Sequence, residues 1–539
     1  MNAASASSSW SARWPTLAPF ALALATVAAY AASLRGGFLN YDDDWLIQNN
    51  PLLARRDLGA LAAIWTDLSD ATRMKLGAEY LPVRDTLEWL EARAYGLDPH
   101  AMRAMSLALY VGAVLLVRGW LRRALRAGQD PAGGLRAELA AWVFALHPVH
   151  AESVAWLAGR KDVLALLFVA GALHVYSGSS KRRVWAVPLL VTAACASKGV
   201  AVAAPLLLPV HDWLARRRVE RVPVALSLLA ALAVALVHVR VGATVQMIAT
   251  PAGGSRLAAA ATMGPVLLRY LEHAVFPAGL SVIYEVTPAS PGAIRAWLGY
   301  APLVAWLVLA VAALRRDDRL PAAALAIFVL TMAPTSQILF PLQNLMADRY
   351  LLLPLLGPSL LAGALSAWLL GRHRAARVPI VGLVVALGVV TALRAEVFSD
   401  SERLWRDATA KTRADSRAPY QLAMALEPRG DAAGAEAAYR EALRRADGGF
   451  PRAISNLAIL LAKTRRADEA IALLADAAPR FPEDPRLLGN LAELTARSGD
   501  EPRARALFDE LLSRFPDYEA GRRNYQKRFG RVAPPTLTP

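Results

Sequence analysis

Up to about residue 395 the chain alternates long apolar runs with short clusters of arginine and lysine, a pattern that suits a bilayer and little else. Runs long enough to span, or nearly so, fall at about 15–34, 101–118, 137–150, 162–177, 184–197, 200–214, 222–241, 297–314, 319–337, 350–370 and 378–394, with some neighbours readable as halves of broken helices. Beyond about residue 395 the sequence turns polar and charge-rich. Only 19% of the chain is charged, against about 25% for an ordinary soluble protein. The net charge of +16 would suit a nucleic-acid partner, but the excess sits in short loops between apolar runs, so none is expected. The single cysteine, Cys195, lies inside an apolar run and reads as a small buried residue.

The basic loops orient the spans. Arg118, Arg122, Arg123, Arg126 and Arg136 form the first cluster. Lys181, Arg182 and Arg183 form the second, and Arg216, Arg217, Arg218 and Arg221 the third. Arg315, Arg316 and Arg319, then Arg372, Arg374 and Arg377, complete the set. With about eleven spans, all five fall on the N-terminal side, which the positive-inside rule makes cytoplasmic. Residues 257–278 are apolar enough to cross but would break this count, so they read as an interfacial or re-entrant helix. The first run is read as an uncleaved span. The expected outer segments are then a loop over 36–100 rich in Asp and Glu, residues 147–161, the stretch 341–349, and everything after 395. The localisation expected is multi-pass in a bacterial inner membrane, with the C-terminal domain periplasmic.

That domain, 398–535, repeats itself. Leu422, Leu457 and Leu491 correspond, as do Ala435, Ala470 and Ala504, and Tyr439, Leu474 and Phe508. The period and the small-large alternation fit tetratricopeptide (TPR) repeats, with Pro482 closing one second helix and 517–529 capping the stack. Such arrays bind a protein or peptide, dock partners, or brace. The fold class is therefore all-α: a polytopic transmembrane bundle over 1–397 and a TPR α-solenoid.

Chemistry concentrates in a few places. Asn40-Tyr41-Asp42-Asp43-Asp44 follows the first span directly. Adjacent carboxylates repel, which raises the pKa of one or calls for a cation, so the arrangement suits a general base, a divalent-metal site, or only a solvated acidic cap. His147-Pro148-Val149-His150-Ala151-Glu152 continues to Arg160-Lys161-Asp162. Its cations suit a lipid phosphate; the bland reading is a loop with an Arg160–Asp162 pair, and zinc on His147, His150 and Glu152 has no familiar spacing behind it. Lys198 lies between two short runs and Arg349 follows Asp348 at the mouth of another. With Arg160 they border the same membrane face as Asp42 and Asp43. An acidic base above cations is how a hydroxyl acceptor would meet a lipid-phosphate donor.

These residues resemble the transmembrane-and-tetratricopeptide-repeat family. Phe38-Leu39-Asn40-Tyr41-Asp42-Asp43 with Ile47, Asn50 and Pro51, the His147–His150 segment with Glu152 and Gly159-Arg160, Ser197-Lys198, Tyr270-Leu271 with Phe276-Pro277 and Leu280-Ser281, and Asp348-Arg349-Tyr350-Leu351 with Pro354 run in family order. The resemblance implies a GT-C (C-type glycosyltransferase) fold of the O-mannosyltransferase kind, using a polyprenyl- or dolichyl-phosphate sugar. It implies that Asp42 and Asp43 serve the acceptor hydroxyl, that Arg160, Lys198 and Arg349 meet the donor phosphate, and that direct displacement inverts the anomeric carbon. His147, His150 and Glu152 join as substrate-binding candidates. Gly199 stands where the family commonly has glutamate, Leu81 where it has arginine, and Met102, Met105 and Leu109 near a usual histidine and asparagine.

Two functions follow. The first is an enzyme that transfers a sugar, mannose in the family, from a membrane lipid-linked donor to a protein hydroxyl presented by the repeats, on the periplasmic side. The second is a non-catalytic membrane-anchored scaffold or assembly factor. A transporter fits less well, because the charges gather at the outer face. No cofactor is fixed by the sequence; a divalent metal at Asp42 and Asp43 is one use of that pair.

Overall fold

Proline-led helices with acidic or amide caps set the frame. Asp98 accepts from the amides of His100 and Ala101 ahead of Pro99–Ala124, Asp130 caps Pro131–Ala145, and Asn50 caps Pro51–Ala54, each with proline at the first helical position. There the missing N–H is not needed and φ is already helical. The computed structural model describes residues 3–126, 128–245 and 249–530, with side chains from Leu17 onward. Every regular element among them is helical.

The chain divides into two compact units, residues 1–404 and 405–539. In the first, Pro99–Ala124 packs on both Pro131–Ala145 and Arg160–Tyr176, and the last of these packs on Arg183–Ser197. Ala3–Tyr30 lies against Arg377–Val397. Pro131–Ala145 and Leu356–Arg372 cross closely: a Cβ on Gly363 would sit 2.5 Å from the Arg136 carbonyl.

Five helices are long and apolar enough to cross a membrane: Leu17–Arg35, Pro99–Ala124, Arg221–Thr244, Ile294–Leu314 and Arg374–Val397. Shorter apolar helices include Arg183–Ser197, Gly199–Leu214 and Leu320–Thr335. Their apolar side chains face outward. Leu229, Leu232 and Leu236 are 57–62% exposed, as are Leu307–Leu309 at 52–66%. A surface so apolar is stable only against lipid. This is a polytopic all-α membrane protein. Residues 256–275 form one continuous helix, Arg256–Val275, capped by Ser255 and buried along Ala258, Ala261, Thr262 and Tyr270.

The segment after the first helix is a small helical layer, Leu58–Thr66, Asp70–Lys75 and Pro82–Ala94. Buried Arg73 closes one helix end by donating to the carbonyls of Ala63, Ile64 and Asp67 at 3.0, 2.9 and 2.7 Å.

In the second unit, helix pairs Arg417–Leu426 with Ala432–Arg445, Pro451–Lys463 with Ala467–Arg480, and Pro485–Arg497 with Glu501–Arg514 precede a last helix, Glu519–Phe529. The recurrent columns form the core: Ala435, Ala470 and Ala504 are fully buried, as are Tyr439, Leu474 and Phe508. Alanine lets paired helices approach, and the large residue fills the space between pairs. Phe508 packs edge-on against Tyr525 and Phe529 at 6.0 Å, so the last helix covers the end of the stack.

Candidate functional site

The three consecutive aspartates have three different surroundings. Asp42 sits at φ +71°, a left-handed conformation that Asp tolerates better than most residues, so the chain reverses there. Asp43 is fully buried; its Oδ2 accepts from the Leu39 amide at 3.0 Å and its Oδ1 from the Ala158 amide at 2.9 Å. Asp42 stays half-buried and accepts from the Trp45 indole N–H at 3.1 Å. Asp44 is exposed and accepts from the Trp45 amide. Burial pushes the Asp43 carboxyl up to about 7, against the pull of the two amides, Arg103 and Arg160. Asp44 is raised as well, by burial first and by the Asp42 charge after it, so repulsion contributes to the run but desolvation leads at both positions.

Tyr41 stacks on Trp156 with ring centroids 4.3 Å apart, and the Trp156 indole donates to the Tyr41 carbonyl at 2.7 Å. Arg349 lies 5.6 Å from the Trp156 ring, and its Nη1 is 3.5 Å from the Tyr41 hydroxyl. Fully buried Glu152 accepts from the Arg349 guanidinium and from its backbone amide, the latter at 2.9 Å. Glu152 and Arg349 are thus one ion pair, set against the aspartate loop. Asp348 accepts from the Tyr284 hydroxyl and lies 3.7 Å from Arg394.

The histidines do other work. His147 Nε2 lies 3.3 Å from the Ala274 carbonyl and its Nδ1 accepts from the Val149 amide at 3.4 Å. His150 Nδ1 is 2.8 Å from the Tyr110 hydroxyl. Both brace the break between Pro131–Ala145 and Ala151–Ala155. Among the described residues no three of His, Cys, Asp or Glu are grouped to hold a metal, so the zinc arrangement of His147, His150 and Glu152 is not formed.

The cations separate into two kinds. Arg160 is fully buried, paired with Glu91 and donating to the Met102 carbonyl at 2.9 Å. The local Arg160–Asp162 pair expected from the sequence does not form: two residues apart at a helix start, the side chains point to different faces and find different partners. Asp162 lies 3.7 Å from Lys198, which occupies an extended break between Arg183–Ser197 and Gly199–Ala203. Next to them Lys161 binds Glu79, and Arg84 stands 4.0 Å from the same carboxylate. Burial would raise Glu79, yet Lys161, Lys198 and Arg84 hold it well below the usual carboxylate range. Asp162 is also within electrostatic reach of Arg349 and Tyr350. Tyr41–Arg349, Asp162–Lys198 and Lys161–Glu79 are thus three contacts within electrostatic reach of one another, with Asp42 within reach of Tyr41. Sequence reasoning grouped Lys161 with Arg160 as a cation suited to a lipid phosphate but did not single out Glu79, Glu91 or Arg84 as site residues; for Arg84 the only signal was its place close to Leu81.

Comparison with known proteins adds two findings. Residues 429–494 and 466–523 match the tetratricopeptide repeat family. The chain is also similar to two proteins named Protein O-mannosyl-transferase TMTC1. It is 32% identical over 170 residues to that of Mus musculus, covering 31% of this chain and 17% of the relative, and 30% identical over 171 residues to that of Homo sapiens, covering 31% and 18%. The match spans less than a fifth of these relatives. Both are mammalian, so they lend no support to a bacterial origin.

Proposed function

We propose that this chain is a membrane glycosyltransferase that moves mannose from a polyprenyl-phosphate donor to a protein hydroxyl on the non-cytoplasmic face. The acceptor oxygen attacks the anomeric carbon as the bond from that carbon to the phosphate oxygen breaks. The hydroxyl proton passes to Asp42, and the lipid phosphate leaves toward Lys198, Lys161, Arg84 and Arg349, with inversion. Asp43 and Arg160 act as positioning residues, holding the loop and the helix start that frame the site. The observation that carries this reading is the half-exposed Asp42 carboxylate next to Tyr41, whose hydroxyl lies 3.5 Å from Arg349, together with the Lys161 and Lys198 side chains, about nine-tenths buried against Glu79 and Asp162. Cations so desolvated favour a phosphate. The similarity to O-mannosyl-transferases supports the same reading, and the repeats supply a surface for a protein acceptor.

Membranes containing the protein, given labelled polyprenyl-phosphate mannose and a Ser/Thr-rich peptide, should label the peptide, and Lys161→Ala with Lys198→Ala should abolish labelling. Normal insertion without any transfer from several lipid-phosphate sugars would favour the scaffold instead.

A further inference from the structure

Far from the aspartate loop, five arginines converge on one open cavity of about 500 Å³: Arg122, Arg123, Arg126, Arg216 and Arg217, with Ser177 between them. The cavity lies at the other end of the same helices. Arg103, near the start of Pro99–Ala124, touches the Gly37 carbonyl beside the aspartate loop. Arg123 lies 20 residues on, about 30 Å away at 1.5 Å per residue, which is roughly the thickness of a bilayer core.

The local acids do not neutralise this cluster. Glu138 is shared by Arg118 and Arg122, both at 2.6 Å. Glu220 is shared by Arg183 and Arg217, and Arg217 also lies 3.8 Å from buried Asp212. Arg216 pairs with exposed Asp317 at 2.7 Å. Arg123 donates to the His174 carbonyl and the Ser177 hydroxyl, and Arg126 to Gln129. Among the described residues neither Arg123 nor Arg126 has a carboxylate within ion-pair distance, and both are exposed toward the opening. Arginines placed only to orient helices would spread apart to lower their mutual repulsion. Here Arg123 and Arg126, held only by neutral acceptors, stand beside three carboxylate-paired arginines and face the opening, as an oxyanion site requires.

We propose that this cavity binds the phosphate of an anionic membrane phospholipid in the leaflet opposite the aspartate loop. The walls are the ends of Pro99–Ala124, Arg160–Tyr176 and the helix ending at Leu214, so the opening stands at the level of the lipid head groups. A phosphodiester there accepts from Arg123 and Arg126 without displacing an internal carboxylate.

The test uses the full chain purified in detergent with phosphatidylglycerol or phosphatidylcholine, and native mass spectrometry to count retained lipid. Wild type should retain phosphatidylglycerol preferentially. Arg123→Gln with Arg126→Gln, which orphans no acid, should weaken that retention about 25-fold, at about fivefold per arginine. Arg315→Gln with Arg316→Gln removes the same charge from a neighbouring basic loop and should leave retention unchanged. Equal retention of both lipids by wild type, or of phosphatidylglycerol by wild type and the Arg123/Arg126 variant, would overturn the site. So would displacement of the lipid by millimolar inorganic phosphate whose binding depends on the same two arginines, because the occupant would then be a free anion.

Discussion

Replacing Asp42 and Asp43 separately by asparagine should give two distinct defects. Asp43 accepts two backbone amides through its two oxygens, from Leu39 and Ala158. Asparagine offers one oxygen, so one buried N–H must face an NH2 donor, a loss of about 1–3 kcal/mol. Asp43→Asn should therefore lower the thermal midpoint of the membrane unit and reduce transfer only as far as the loop moves. Asp42 keeps its contact with the Trp45 indole in the amide form, because the remaining oxygen still accepts. Its stability should shift by no more than about 0.5 kcal/mol. If it takes the acceptor proton, however, transfer should fall by about 10²–10⁴-fold. Asp44→Asn, exposed and paired only with its neighbour's amide, should be mild in both measures. The assay is peptide labelling in membranes alongside melting of the purified protein by fluorescence-detected size exclusion. Full transfer by Asp42→Asn, with an unchanged melt and lost transfer for Asp43→Asn, would reverse the assignment. Full transfer by both would leave no role for this loop in proton removal.

Three further outcomes follow from the same geometry. Glu152→Gln leaves the buried Arg349 guanidinium without its anion and should cost about 3–5 kcal/mol, seen as a lower melting midpoint that Glu152→Gln with Arg349→Met largely restores; an unchanged single variant would contradict the pairing. Burial pushes both Asp43 and Glu88 up to about 7, so the folded protein holds these protons more tightly than the unfolded chain. Their contribution is complete below about pH 4 and is lost as pH rises to about 7, each group losing up to about 1.4 kcal/mol per pH unit crossed, so the midpoint of Glu88→Gln relative to wild type should rise between pH 5 and 7.5, and an unchanged difference would contradict the buried Glu88 carboxyl. The chain from Ser401 onward should fold alone into a helical domain, and Phe508→Ala should cost it about 3–5 kcal/mol in a circular-dichroism melt, because Phe508 is fully enclosed with Tyr525 and Phe529.

The repeats were legible in the sequence because their signal is local and recurs: Ala435, Ala470 and Ala504 keep one register, and register survives without knowing any tertiary contact. The membrane helices were legible for the same reason, as hydropathy is read along the chain. Pairing was not. Glu91 meets Arg160 across 69 residues, Glu79 meets Lys161 across 82, and Arg349 meets Glu152 across 197. A single sequence shows the charges but not which of them share a cavity. That is why Arg160 read as a phosphate ligand when its guanidinium is enclosed with Glu91, and why Glu79 went unremarked in an acidic stretch. Asp42 and Asp43 looked equivalent because nothing in their order shows that the backbone reverses at Asp42.

The clasp between Asp43 and the Ala158 amide also sets a schedule for biosynthesis. The two groups lie 115 residues apart, and at about 5–20 residues per second the loop waits roughly 6–23 s for its partner to be made. Glu152 waits longer still for Arg349, 197 residues on, whereas Asp348 waits a shorter time for Arg394. Until residue 161 has emerged, Asp43, Glu79 and Glu91 stand without these partners beside nascent helices. A ribosome paused anywhere before that point therefore carries a chain whose first helices are made but whose charged centre is still open to water.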